Sequence, residues 1–277
     1  MTNQTSISES VRRALQEDIG SGDITAHLID QRSVSKARII SRQRAVICGV
    51  QWAEEVFRQL DERVSLNWNV SDGASVNADQ VLCELQGPSR ALLAGERTAL
   101  NFLQTLSGTA TRALQYAKAV EGTAAQVLDT RKTIPGLREA QKYAVRCGGC
   151  HNHRMGLYDG ILIKENHIQA AGSLENAIAK AQQAEAGEIL IEVEVETLDQ
   201  LERALQAGAK RLLLDNMTTE QLKQAVALNQ GRAQLEASGG VTLQNIRAIA
   251  QTGVDYISVG DLTKDVEAID LSMRFEH

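Results

Sequence analysis

Six short apolar runs in the second half of this chain are each followed, or ended, by residues able to do chemistry. Ala125-Gln126-Val127-Leu128 leads into Asp129-Thr130-Arg131-Lys132-Thr133, and Gly160-Ile161-Leu162-Ile163 leads into Lys164-Glu165-Asn166-His167. The run from Ile189 to Val193 carries Glu192 and continues to Glu194 and Glu196. The last three runs end at Asp215-Asn216, at Ser238-Gly239-Gly240 and at Gly260-Asp261. Cations therefore follow the early runs, carboxylates the middle ones and glycines the last two. Clustered cations point to a small polyanionic substrate. Carboxylates such as Glu194 and Asp215 suit a divalent metal carried by substrate phosphates, or a developing positive charge. Bare glycine backbone suits a phosphate.

A second cationic stretch runs through Gln141-Lys142-Tyr143-Ala144-Val145-Arg146 to His151-Asn152-His153-Arg154. Arg138 and Lys142 read as solvated charges on a helix face. Lys132 and Lys164, at the ends of strands, read as functional. Glu192 is open to two readings, a salt-bridge partner for Lys164 or Arg131, or part of the reacting site. Within the same stretch, Cys147-Gly148-Gly149-Cys150-His151 fits a haem-attachment or redox-pair pattern. No cationic-apolar leader accompanies it and no second cysteine pair stands at zinc spacing, so Cys147 and Cys150 read as small packing residues, with neither haem nor structural zinc expected.

These groups need a scaffold that brings the ends of successive strands together. Helical patterns near 137–148, 173–186, 198–207, 219–229 and 242–252 separate the apolar runs. Strand and helix in alternation imply parallel strands with right-handed crossovers. At least six such units suit a (β/α) barrel short of its usual eight strands, whose catalytic residues gather at the C-terminal strand ends. The absence of a Gly-x-Gly-x-x-Gly turn weighs against a dinucleotide-binding open sheet. The first 90 residues differ. They offer an amphipathic helix at 6–18, strands near 36–41, 44–48, 64–70 and 80–85, a helix near 50–60, and a long helical pattern from Ala91 past Phe102.

The chain has 277 residues, with 29 Lys plus Arg against 35 Asp plus Glu, for a net charge of -6. That balance, with no dense basic run, excludes nucleic acid as a main partner. No stretch reaches the length of a membrane span, and the expected location is the cytoplasm. Aromatic residues make up only 3% of the chain, so the core must be built from Ala, Leu, Val and Ile.

Several stretches, taken together and in order, resemble the quinolinate phosphoribosyltransferase family. They are Glu96-Arg97-Thr98-Ala99-Leu100-Asn101, Leu106-Ser107-Gly108-Thr109-Ala110-Thr111, Asp129 to Arg138, Asn152-His153-Arg154, Ile163 to His167, Glu192 to Glu196, Leu213 to Asn216, Glu236 to Gly240 and Ser258-Val259-Gly260. The resemblance implies an α/β protein, with an N-terminal α/β sandwich over 1–108, rejoined by 266–277, and an incomplete (β/α) barrel over 109–265. It implies transfer of a phosphoribosyl group from phosphoribosyl pyrophosphate to quinolinate with loss of carbon dioxide, giving nicotinate mononucleotide for NAD synthesis. It also implies a homodimer or hexamer in which Arg97 completes the neighbour's site. By the same resemblance Arg131, His153, Arg154, Lys164 and that Arg97 would grip quinolinate, with Thr130 also in the substrate site and Lys132 facing the phosphoribosyl donor. Glu194 and Asp215 would serve the Mg²⁺ and ribose region, and Ser238, Gly239, Gly240, Val259, Gly260 and Asp261 would cradle the 5-phosphate. Lys132, Lys164, Glu194 and Asp215 are the catalytic set so implied. A rival reading of Lys164 as a Schiff-base lysine remains open to borohydride trapping.

Overall fold

The computed structural model describes residues 4–184 and 189–276; the last two residues of the helical pattern expected at 173–186 lie outside them. Within these bounds the chain forms two compact units. The first holds residues 4–114, Thr133–Gly149 and 265–276, and the second holds Gln115–Lys132 with the described part of Cys150–Lys264. Thr133–Gly149 thus packs with the N-terminal unit, although a single crossing at residue 108 assigns it to the barrel.

In the first unit, α1 (Gln4–Ile19) presents Ile7, Val11 and Leu15 at intervals of four, so all three fall on one buried face. It packs on α2 (Val50–Leu60), which buries Trp52, Ala53, Val56 and Phe57. Asp72 caps the start of α2, its carboxylate accepting from the backbone N–H of Gly49 at 2.9 Å and of Val50 at 3.1 Å. The strands β1 (Val34–Ser41), β2 (Ala45–Val46), β3 (Ser65–Trp68), β4 (Ser75–Val76) and β5 (Val81–Pro88) follow the expected order, except that β4 was hidden in a two-residue pairing with β2. α3 runs from Ser89 to Ala119 without a break. The carboxyl-terminal strand, β12 (Leu271–Phe275), joins β1 antiparallel, and the sheet order is β12-β1-β5-β3. The returning chain passes α3 so closely that a Cβ on Gly108 would lie 2.2 Å from the Glu267 carbonyl oxygen. Only glycine fits there.

The second unit is a parallel sheet of six strands in the order β6-β11-β10-β9-β8-β7. These are β6 (Gln126–Leu128), β7 (Gly160–Ile163), β8 (Leu190–Val195), β9 (Arg211–Asp215), β10 (Gln234–Ser238) and β11 (Tyr256–Ser258), matching the six apolar runs. Helices α5 (Glu165–Ala171), α6 (Leu174–Ala184), α7 (Leu198–Gln206), α8 (Thr219–Asn229) and α9 (Ile246–Ala250) connect them, and α10 (Asp261–Lys264) follows β11. The helix α4 (Arg138–Cys147) belongs to the first unit. α5 was not expected from periodicity, being only seven residues, about two turns, right after Lys164. On the free edge of β6, His151 pairs in parallel with Leu128. A flat sheet would then set this segment five strand spacings, about 24 Å, from β8. His153 nevertheless touches Glu192 of β8 at 2.7 Å, so the sheet must curl into an open barrel.

No described helix is long and apolar enough to cross a membrane.

Candidate active site

The C-terminal strand ends gather the residues singled out by sequence. At the end of β6, the Thr130 hydroxyl accepts from the Lys132 backbone N–H at 3.1 Å, and the Thr263 hydroxyl donates to the Lys132 carbonyl at 2.7 Å. These bonds fix the loop from both sides. The Lys132 side chain lies along Gly260, where an added Cβ would stand 3.2 Å from its Cδ and 3.8 Å from its Nζ. Thr130, Lys132 and Gly260 therefore share one corner.

Lys164 and Glu194 form the second group. The ammonium pairs with the carboxylate Oε2 across the ends of β7 and β8. Glu194 is mostly shielded while Lys164 remains about half exposed, so the pair is open on the lysine side. Glu196 lies beyond the end of β8, exposed.

Asp215 and Ser238 stand opposite each other in the β9–β10 register. The Asn216 side-chain amide donates to Asp215 Oδ2 at 2.7 Å, and the Asn216 N–H donates to the Ser238 carbonyl at 2.9 Å. Asn216, Gly239 and Gly240 all have positive φ, at 54°, 94° and 60°. Two successive left-handed glycines leave bare backbone at the strand end, which suits an anion. At the next strand end the Val259 N–H is bonded to the Leu128 carbonyl at 2.9 Å, and the Tyr116 hydroxyl donates to Asp261 Oδ2 at 2.7 Å. Asp261 is thus held by a tyrosine.

His153 and Arg154 follow the edge segment. Asp129, fully buried, accepts from the Asn152 amide at 2.6 Å and from the His153 N–H at 2.9 Å, which anchors the turn to β6. His153 Nε2 is 2.7 Å from Glu192 Oε2, and its Nδ1 accepts from the Arg154 N–H at 2.7 Å. Both ring nitrogens have protein partners, so the imidazole faces the barrel interior. Burial would lower the His153 pKa, but the hydrogen bond to Glu192 and the charges of Glu236 and Glu192 raise it. Arg154 donates to the Gly160 carbonyl at 2.8 Å. Its pKa is lowered by burial and then by the Arg131 guanidinium, so two cations stand close enough to repel. An anion with two carboxylates would relieve that repulsion. Arg97 sits exposed on α3 in the first unit.

Sequence reasoning gave no role to Arg211, Glu236, Asp129 or Tyr256. Glu192 pairs with Arg211 and His153, not with Lys164 or Arg131. The parity of the strands carried the signal: Arg211 and Asp215, and Glu236 and Ser238, alternate onto one face as Glu192 and Glu194 do. Lys142 corrects another expectation, being buried and not solvated. Of the two cysteines in the CGGC stretch, Cys150 is buried with its thiol pushed up to about 12 by desolvation. Cys147 is lowered instead, chiefly by a hydrogen bond from Cys48. All four cysteines are free thiols.

Cations, paired carboxylates and glycine backbone at the C-terminal ends of parallel strands define a barrel enzyme that handles phosphorylated, anionic substrates. The described family models match almost end to end: quinolinate phosphoribosyl transferase, N-terminal domain, over residues 23–107, and its C-terminal domain over 109–274. The chain belongs to the quinolinate phosphoribosyltransferase family. It is 43% identical to a nicotinate-nucleotide pyrophosphorylase (carboxylating) of Mycobacterium leprae, over 96% of this chain and 95% of the relative. It is 38% identical to a quinolinate phosphoribosyltransferase (decarboxylating) of Nicotiana glauca, over 96% of this chain and 81% of that one. The structure of a nicotinate-nucleotide pyrophosphorylase from Francisella tularensis superposes with a TM-score of 0.97 at 45% identity, covering 100% of this chain and 98% of the other.

Proposed function

We propose that this chain transfers the phosphoribosyl group of phosphoribosyl pyrophosphate to the ring nitrogen of quinolinate, with loss of pyrophosphate and carbon dioxide, to form nicotinate mononucleotide for NAD synthesis. Membership of the family over nearly the whole chain carries this reading, and the charge map fits it. Arg131, Arg154 and Lys164 supply positive charge for the two carboxylates of quinolinate. His153 orients Arg154 from behind. Lys132, against Gly260, faces the donor, and Gly239 and Gly240 with Ser238 offer backbone to the 5-phosphate.

In the transferase step the bond from the anomeric carbon to pyrophosphate breaks and the quinolinate nitrogen takes its place. Glu194 and Asp215 would supply negative charge to a positively charged sugar carbon. Lys132 steadies the leaving phosphates. The ring nitrogen is then quaternary, the bond from the neighbouring ring carbon to its carboxylate breaks to release carbon dioxide, and the electron pair left on that carbon is stabilised by the adjacent positive nitrogen until it takes a proton from solvent, so no protein nucleophile is needed. The chain's task is to hold two anions in line and neutralise them. Mg²⁺ fits the same corner: Glu194 and Asp215 are partly exposed oxygen donors on neighbouring strands, and Mg²⁺ takes one or two carboxylates beside substrate phosphates. When bound it would neutralise the phosphates of the donor.

Shared sites in a homodimer or hexamer, with Arg97 reaching the neighbour's quinolinate, follow from the same reading. Its exposure on α3 leaves it available for such a contact. One assay tests both parts. Incubation with quinolinate, phosphoribosyl pyrophosphate and Mg²⁺ is expected to yield nicotinate mononucleotide by mass spectrometry, and absence of product overturns the activity. Arg97→Ala and Lys132→Ala chains, each inactive alone, are expected to recover part of the activity when mixed; no recovery sinks the shared site.

A further inference from the structure

A cluster of charge lies inside the barrel, beneath the segment that carries His153 and Arg154. Glu192 and Glu236 are fully buried and Arg211 nearly so. Arg211 Nε donates to Glu192 Oε1 at 3.0 Å and its Nη2 to Glu236 Oε2 at 2.6 Å. The Tyr256 ring lies under the guanidinium at 3.8 Å. The second oxygen of each carboxylate faces His153 Nε2, Glu192 Oε2 at 2.7 Å and Glu236 Oε1 at 3.5 Å. That last oxygen is buried without a hydrogen-bond partner.

The candidate ligand atoms of His153, Glu192 and Glu236 lie within 4.8 Å of one another, a spacing that a divalent cation could use. Arg211 already supplies a cation to both carboxylates, however, so a metal would add charge to a pair that is largely balanced. The guanidinium does structurally what an ion would otherwise do. It is fixed in place, planar, and stacked on Tyr256.

We infer that Arg211 is a positioning residue for the quinolinate half of the site: by clamping Glu192 and Glu236 it holds His153, and through His153 the backbone of Arg154, in the orientation that receives a pyridine dicarboxylate. The relay of hydrogen bonds is continuous. Arg211 holds Glu192, Glu192 holds His153 Nε2, and His153 Nδ1 holds the Arg154 N–H, while Gly160 holds the Arg154 guanidinium. Removing Arg211 does two things at once. It frees Glu192 to turn, and it leaves excess negative charge under the place where a dianion binds. Both effects weaken quinolinate. The donor corner at Lys132, Gly239 and Gly260 is built on other contacts and should be spared.

This inference rests on the quinolinate reading, and the test separates the two. Steady-state kinetics with each substrate varied, and calorimetric titration of quinolinate into the intact protein, would be run on wild type, Arg211→Met, Arg211→Lys and the double variant Arg211→Met/Glu236→Gln. If the wild-type protein neither binds nor turns over quinolinate, the functional reading fails and Arg211 has no quinolinate site to position. With an active wild type, Arg211→Met is expected to raise the quinolinate KM about tenfold or more while the phosphoribosyl pyrophosphate KM stays within about twofold. Arg211→Lys, which keeps the charge but cannot bridge two carboxylates, should raise the quinolinate KM about threefold. The double variant removes one negative charge with the positive one and should recover part of the lost quinolinate affinity, the share due to excess charge, while the share due to the freed Glu192 stays lost; lost packing alone would give no recovery. A parallel rise in both KM values, an unchanged quinolinate KM in a folded Arg211→Met protein, or a double variant weaker than the single one overturns the proposal. Should Arg211→Met fail to fold, Arg211→Lys decides: an unchanged quinolinate KM in that variant overturns it too.

Discussion

Lys132→Ala and Lys164→Ala are each expected to lower kcat/KM for the coupled reaction by about 10²–10³-fold or more, as loss of a preorganised charge at a reacting centre does, with an unchanged circular-dichroism spectrum. The reason differs between the two. Lys132 is presented by a loop whose backbone is tied to Thr130 and Thr263, so truncating the side chain leaves those ties in place and removes only the ammonium proposed to face the donor. Lys164 is half exposed, and its loss should leave the β7–β8 pairing intact. Its removal also unpairs Glu194, so negative charge is left beside an anionic substrate and quinolinate binding should weaken with turnover. Single-turnover measurements over a range of quinolinate concentrations separate the two: Lys132→Ala lowers the rate reached at saturation, and Lys164→Ala raises the quinolinate concentration needed to reach it. Near-normal turnover in either variant would remove that lysine from the site.

Gly239→Ala is the second large effect. The residue has φ of 94°, a region that side chains rarely adopt, and an added Cβ would fall 2.1 Å from Asn216 Oδ1 and 3.0 Å from its backbone nitrogen. Rotating Asn216 away cannot cure the second contact. The loop must shift, and with it the amide that donates to Asp215 and the N–H that pairs with Ser238. Backbone strain of this kind costs about 1–3 kcal/mol, and the larger consequence is displacement of the backbone proposed to cradle the 5-phosphate. The expected result is a rise of about tenfold or more in the phosphoribosyl pyrophosphate KM, about 1.4 kcal/mol of binding, with the quinolinate Kd nearly unchanged. Equal loss for both substrates would mean that the loop supports the whole barrel mouth and not one ligand. Gly240→Ala offers a contrast, because nothing lies within 4 Å of its added Cβ and only its φ of 60° opposes the change.

Much of this was legible before the structure. The six apolar runs became the six parallel strands, and the polar residues after them stand at the C-terminal strand ends, because a parallel strand buried on both faces must be an apolar run and a barrel can expose its chemistry only at the strand ends. Other features have no local signature. β4 and β12 exist because β2 and β1 offer them a partner, and α5 is a short turn whose periodicity is too brief to read. Thr133–Gly149 interrupts the barrel sequence to pack with the first unit, where Ala140 and Ala144 join the core. Arg211 was overlooked for a different reason: a charged residue opening an apolar strand reads as solvent-facing, although its alternation with Asp215 sets it on the inward face, where it meets Glu192 and Glu236.

The strand-like pairing of His151 with β6 has a consequence outside catalysis. A parallel sheet that stops at six strands leaves an edge whose unpaired amides and carbonyls can recruit another polypeptide. The edge of β6 is sealed by the stretch that goes on to present His153 and Arg154, with the His151 N–H donating to Val127 and its carbonyl accepting from Asp129. Colloidal behaviour and ligand recognition are thereby tied to the same few peptides. Lesions in this stretch that unseat it from β6 would be recovered as sticky, self-associating protein as well as inactive protein, and solubility alone would report how well the segment is seated.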